Sequence, residues 1–258
     1  MAYDKQKVLD IALSEVGYLE KASASQLDSK TANAGSGNYT KYSRDLAEVS
    51  YFNGRKQGVA WCAVFVAWCF FKAFGKAAAL KLLCQPTKDN CGAGCAYIVR
   101  YFKAKGQWHT SNPKDGDVIV FYNKAKDNYA HTGLVYKVDG SKVYTREGNT
   151  SGASGVIDNG GGVCEKSYSL SYGRIAGYGR PDYGTQAVQT EQPAKAEPVK
   201  TPAKEAAYTT YTVKKGDSLW KIAKKLLGSG NKYKQIQSAN GLSSALIKVG
   251  QKLKIPKG

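Results

Sequence analysis

Residues 184–210 set the first limit on what this chain can fold into. They consist mainly of Pro, Ala, Glu, Lys, Thr and Gln, with prolines at Pro193, Pro198 and Pro202, and hold too few large apolar side chains to enclose a core. Three lysines balance three glutamates there. Such a stretch reads as a semi-extended spacer. The 258 residues therefore divide into a segment 1–183, long enough to bury a sizeable core, and a short segment 211–258. Each must find its own core.

The two segments differ in texture. The first opens with helix-like stretches, among them the amphipathic pattern Val8, Ile11, Ala12, Val16. The apolar run 61–70 follows, with Cys62 in its first turn and Cys69 seven residues on. A further helical region covers 94–105. From Asp117 the period shortens to two. Strands are expected over 117–122, from His131 onward, over 142–147 closing on Glu147, and over 174–179, with residues 113–117 as the turn before the first. Helices followed by a meander of strands predict an α+β domain with an antiparallel sheet. The short segment reads as strand 211–213, a turn and cap at 216–218, helices over 219–227 and 233–240, and strand 252–256. The order is βααβ. In its first helix Leu219, Trp220 and Ile222 are candidates for the core.

Charge narrows the partners. The chain carries +18, of which +10 lies beyond residue 210, where 11 lysines face one acid, Asp217. Such a surface attracts polyanions: nucleic acid, anionic lipid or an anionic cell wall. No aromatic-basic module or helix-turn-helix pattern supports nucleic acid as the partner. No membrane insertion is expected, because the longest apolar run is broken by Lys72. Residues 1–7 do not resemble an export signal, so synthesis in the cytoplasm is expected, and the six cysteines (62, 69, 84, 91, 95, 164) are expected to be thiols. Cys84, Cys91 and Cys95 lack the paired spacing of a zinc site, and no metal or other cofactor is expected.

One constellation carries chemistry. A thiol at a helix N-terminus meets the positive end of the helix dipole, which favours its thiolate. An imidazole on a facing strand can exchange its proton, and a carboxylate one strand further can orient the ring. Cys62, His131 and Glu147 stand in those contexts. The only other histidine, His109, lies in a polar stretch running into Pro113 and is assigned a structural place.

These residues resemble two families. The Cys62 helix with Phe65 and Trp68, the run Gly116-Asp117-Val118-Ile119-Val120-Phe121, His131-Thr132-Gly133 and Glu147-Gly148-Asn149 are similar to a CHAP domain, the cysteine, histidine-dependent amidohydrolase/peptidase family of cell-wall lytic enzymes. Residues 211–223 and 249–256 resemble a LysM module, whose family binds N-acetylglucosamine-containing glycans. The resemblance implies a papain-like fold and a set of roles. Cys62 is the nucleophile, His131 the general base, Glu147 the group orienting the imidazole, and Asn149 a polar partner. The backbone N–H of Cys62 supplies part of the oxyanion hole. Trp61 stands where many members have glutamine, and residues 50–60 lack the acids of the calcium loop found in some. Glycan is expected in a groove between Gly216, Asp217, Ser218 and Leu219 on one side and Asn240 to Ile247 on the other.

The function implied is peptidoglycan hydrolysis by a modular phage or prophage endolysin that acts on the wall after release. An amide bond in the peptide part is cut while the glycan is held. The alternatives are an NlpC-type endopeptidase, a host autolysin, and a wall-binding protein that no longer catalyses.

Overall fold

The computed structural model describes residues 2–86, 92–184, 208–214, 217–240, 247 and 249–256. They form two compact units, separated within the spacer.

In the first unit, helix α1 (Lys5–Glu15) begins where the Asp4 carboxylate accepts from the backbone N–H of Gln6, and α2 (Lys41–Glu48) where the Thr40 hydroxyl accepts from that of Ser43. Helix α3 (Cys62–Leu82) is the axis of the unit. Residues 62–70 are all buried, so its first two turns are covered on every side. Helix α4 (Cys95–Ala104) precedes the strands β1 (Trp108–His109), β2 (Val118–Asn123), β3 (Asn128–Asp139), β4 (Lys142–Thr150), β5 (Gly162–Ser169) and β6 (Ile175–Gly179). These make one antiparallel sheet in the order β1-β6-β2-β3-β4-β5, the α+β arrangement expected.

Several boundaries differ from the sequence reading. His131 is three residues inside β3 rather than at its start, and β4 runs on past Glu147 to Thr150. Strand β5, helix α2 and the short β1 were not anticipated. In β5, buried Val163 and Tyr168 are interspersed with glycine, serine and charged residues, so no clear alternation survives.

Lys72 does not end the helix that begins at Cys62, as the reading of a broken apolar run had it. At 21 residues, α3 is long and apolar enough by composition to cross a membrane. Its apolar first half is instead the core of this unit, and the helix is broken at Gly75, whose φ of 77° and ψ of 171° are not helical.

Aromatic rings bind α2 and α3 to the segment that follows α1. Tyr42 lies 4.8 Å from Tyr18, 5.2 Å from Phe65 and 4.8 Å from Trp68 between ring centroids. The indole N–H of Trp61 donates to buried Glu20 at 2.7 Å. At the other end of the sheet, buried Asp117 takes two bonds from Arg180, 3.0 Å from Nε and 2.8 Å from Nη2, and one from the backbone N–H of Lys114 at 2.8 Å. This clamp fastens the turn before β2 to the chain leaving β6.

The second unit follows the βααβ order: β7 (Tyr208–Thr212), α5 (Leu219–Leu226), a 3-10 turn (Gly230–Lys232), α6 (Tyr233–Ala239) and β8 (Lys252–Pro256), with β7 and β8 antiparallel. Val213, Leu219, Ile222, Ala223, Ile236, Leu253 and Ile255 form its core. Trp220 was a candidate for that core, but it is 46% exposed and packs over Gly230, where a Cβ would come within 2.1 Å of the ring. Strand β7 reaches back to Tyr208.

Removing the arginine of the clamp leaves a buried carboxylate without its charge partner. Arg180→Ala should therefore lower the stability of the first unit by about 3 kcal/mol, read as a fall in its urea midpoint. An unchanged midpoint would show that Asp117 is solvated through some other route.

Candidate active site

The site is assembled where the start of α3 meets β3 and β4. Leu134 pairs with Arg146 in that sheet, which sets His131 and Glu147 on neighbouring strands. His131 Nε2 lies 3.0 Å from Glu147 Oε2, and both side chains are fully buried. Glu147 takes two further bonds, from the Thr145 hydroxyl to Oε1 at 2.5 Å and from the Tyr168 hydroxyl to Oε2 at 3.2 Å. A carboxylate held by three donors keeps its position and favours the tautomer with the proton on Nε2. Phe121 stacks on the ring, 6.0 Å between centroids. Nδ1 is then left for the thiol; it is buried and makes no hydrogen bond of ordinary length.

Cys62 is the first residue of α3 and only 4% exposed. Its Sγ lies 3.7 Å from Sγ of Cys95, the first residue of α4. The thiol pKa falls well below the usual 9.0. The bond to Cys95 lowers it most, burial opposes, and the His131 imidazolium and the backbone N–H of Ala63 at the helix start lower it further. Burial would lower the His131 pKa, but the Cys62 thiolate and the Glu147 carboxylate outweigh it and raise it to about 10. The arrangement favours a buried thiolate–imidazolium pair.

The other described thiols behave oppositely. Burial pushes Cys69 well above the ordinary value, Cys84 up to about 11, and Cys164 upward. Cys84 donates to Gln107 Oε1 at 2.5 Å, so Cys84 and Cys95 serve different partners; Cys91 lies outside the described residues. No group of metal-binding side chains occurs among the described residues. His109 sits in β1, paired with Tyr178, and is not part of the Cys62 constellation.

Asn149 is buried but bonds to none of this row. Its backbone is left-handed, with φ 57°, at the bulge where β4 and β5 shift register, and neither amide atom has a hydrogen-bond partner. Sequence reasoning missed Thr145, Tyr168 and Cys95. Thr145 lies two residues before Glu147, so strand periodicity could have placed it on the same face. Cys95 follows Gly94 at the start of an expected helix, the same context that singled out Cys62. Tyr168 gave no signal, because β5 itself was not visible.

In the second unit the side chains named for glycan binding are largely committed to the fold. Asp217 accepts from the Tyr211 hydroxyl and the Lys214 backbone N–H, each at 2.8 Å. The Ser218 hydroxyl caps α5 by accepting from the Lys221 N–H at 3.2 Å. Leu219 is 1% exposed in the core, and Ile247 packs against that core. The Asn240 side chain donates to the carbonyls of Ile236 and Lys254 and accepts from the Lys254 N–H, each at 2.7 Å, tying α6 to β8. Gly216 lies outside the described residues.

Comparison with known proteins follows the same division. Residues 54–149 match the CHAP domain and residues 211–256 the LysM domain. Among curated proteins, a probable N-acetylmuramidase of Lactococcus lactis subsp. lactis (strain IL1403) is 58% identical over 45 residues, covering 17% of this chain and 10% of that protein. The probable peptidoglycan endopeptidase LytE of Bacillus subtilis (strain 168) is 52% identical over 46 residues, 18% of this chain and 13% of that one. The N-acetylmuramoyl-L-alanine amidase sle1 of Staphylococcus epidermidis (strain ATCC 12228 / FDA PCI 1200) is 53% identical over 49 residues, 19% and 14% respectively. This chain thus spans only 10% to 14% of the length of these relatives.

The charge pair has a measurable consequence. Ultraviolet thiolate absorbance, taken as wild type minus Cys62→Ser, should appear well below the ordinary thiol pKa as pH rises. It should then persist while the imidazolium loses its proton near 10. His131→Ala removes the counter-charge, so the inflection should move up. A variant that titrates like the wild type would separate Cys62 from His131.

Proposed function

We propose that this chain is a peptidoglycan hydrolase in which the first unit cleaves an amide bond of the wall peptide and the second holds the glycan. The observation that carries this reading is the buried row from Cys62 at a helix start through His131 to Glu147. The matches to the CHAP and LysM domains support it. So do relatives named for muramidase, endopeptidase and amidase activity. Those three names denote different bonds, while the shared stretch is only 45 to 49 residues. They therefore speak for the wall as the target and leave the bond to be assigned by experiment.

The Cys62 thiolate attacks the carbonyl carbon, and the negative oxygen of the tetrahedral intermediate is met by backbone N–H groups at the start of α3. His131 delivers its Nδ1 proton to the leaving amine, which departs and leaves an acyl-thioester. The neutral ring then takes a proton from water as it attacks, and the acid is released with the thiolate restored. Glu147 stays ionised throughout. It holds the ring through Nε2 and stabilises the imidazolium. Glycan binding in the second unit adds effective concentration on an insoluble polymer and leaves the chemical step unchanged. The +10 charge beyond residue 210 favours a wall with anionic polymers.

Cys62→Ala should cut the release of new amino groups from purified walls by about a thousandfold or more, because members of a catalytic unit fail together. Glu147→Gln keeps the shape and loses the charge, and should fall between that variant and the wild type. Mass spectrometry of the released fragments identifies the bond. Comparable turnover by Cys62→Ala would overturn the mechanism.

A chain ending after residue 183 should cleave soluble wall peptides about as well as the whole protein but lyse cells less well and with weaker salt dependence. If it folds yet is inactive on soluble peptide, the second unit must help to build the site.

A further inference from the structure

Two helices begin at the same point. Cys62 opens α3 and Cys95 opens α4, and their sulfurs lie 3.7 Å apart, a hydrogen-bond distance for sulfur rather than a covalent one. Both are free thiols and both are buried, Cys95 at 7% exposure. With Val99 and Val120 they form a small apolar cluster of their own. A thiolate taken out of water needs donors, and a neighbouring S–H is one of few that an apolar wall can provide.

We propose that Cys95 is a positioning residue for the reaction, its thiol donating a hydrogen bond to the Cys62 thiolate and holding that sulfur in the attacking position. This rests on the reading of Cys62 as the nucleophile. The charged and titratable groups around the pair are few. His131 faces Cys62 from β3, with Glu147 of β4 and Tyr168 of β5 behind it; Tyr129, also of β3, packs against the cluster, and Asp158, in the loop between β4 and β5, acts on Cys95. Because Cys95 gives up its proton only at a pH well above the usual thiol range, the roles of donor and acceptor do not exchange near neutrality. The two thiols are thus unlike although their sequence settings match. Cys62 has the imidazolium beside it, and Cys95 has the thiolate.

The test uses the full chain and three substitutions. Cys95→Ser keeps a donor, Cys95→Ala removes it with one heavy atom fewer, and Cys95→Val removes it with one heavy atom more, so loss of packing in the alanine variant does not decide the outcome. Thiolate absorbance of each, less that of its Cys62→Ser counterpart, should show the inflection moved upward in Cys95→Ala and Cys95→Val and close to wild type in Cys95→Ser.

On walls at about pH 6, kcat should fall several-fold in the two donor-less variants and recover as pH rises, with KM little changed. An inflection that stays in place in Cys95→Val, or shifts as far in Cys95→Ser, would overturn the assignment. The titration needs no substrate, so it stands apart from the wall assay of Cys62→Ala that decides the proposed function.

Discussion

The first unit depends on how closely its sheet approaches the start of α3. A Cβ placed at Gly148 would lie 2.5 Å from Phe65 Cβ and 2.8 Å from the Trp61 ring, so the glycine between Glu147 and Asn149 allows β4 to rest directly on the helix. Gly133 does the same between strands, where a Cβ would meet the Glu147 side chain at 2.5 Å. These two contacts leave no room for slippage. They set the helix start, the imidazole strand and the carboxylate strand at fixed separations, and the apolar first half of α3 secures the arrangement from the other side. The geometry of the Cys62, His131 and Glu147 row is thus a result of core packing rather than of loop conformation.

Burying an imidazolium, a thiolate and a carboxylate together would be costly if any one lacked partners. Each has them. Glu147 has three donors, the ring of His131 has Glu147 on one side and Cys62 on the other, and the thiolate has Cys95 as well as the helix start. Removal of bulk water makes each attraction stronger than it would be at the surface. The same burial raises the pKa of Cys69, which lies one helical repeat further along α3 without such partners. Position on the helix separates a thiol held low in pKa from one held high.

The second unit shows the reverse economy. Among the described residues of the expected groove, Asn240 joins α6 to β8 and Asp217 closes the turn after β7, so both side chains are consumed in holding a small core together. A fold of this size has little core to spare, and side-chain hydrogen bonds supply part of its definition.

From the sequence alone, the two-unit division, the α+β and βααβ orders, and the residues Cys62, His131 and Glu147 were legible, because each rests on local pattern: a spacer without core-forming residues, an apolar run, alternating strands, a carboxylate followed by Gly148 and Asn149. What the sequence did not disclose is long-range. The Tyr168 donor on Glu147, the clamp between Asp117 and Arg180, and the register shift at Asn149 all depend on which strands pair and where they slip. Cys95, 33 residues from Cys62, becomes its neighbour because α3 and α4 pack against the same strand, β3. Local preference assigns a residue to a helix start or a strand. Only the packing of those elements decides which two helix starts face each other, since that contact is made when the common core closes and carries no periodic trace along the chain.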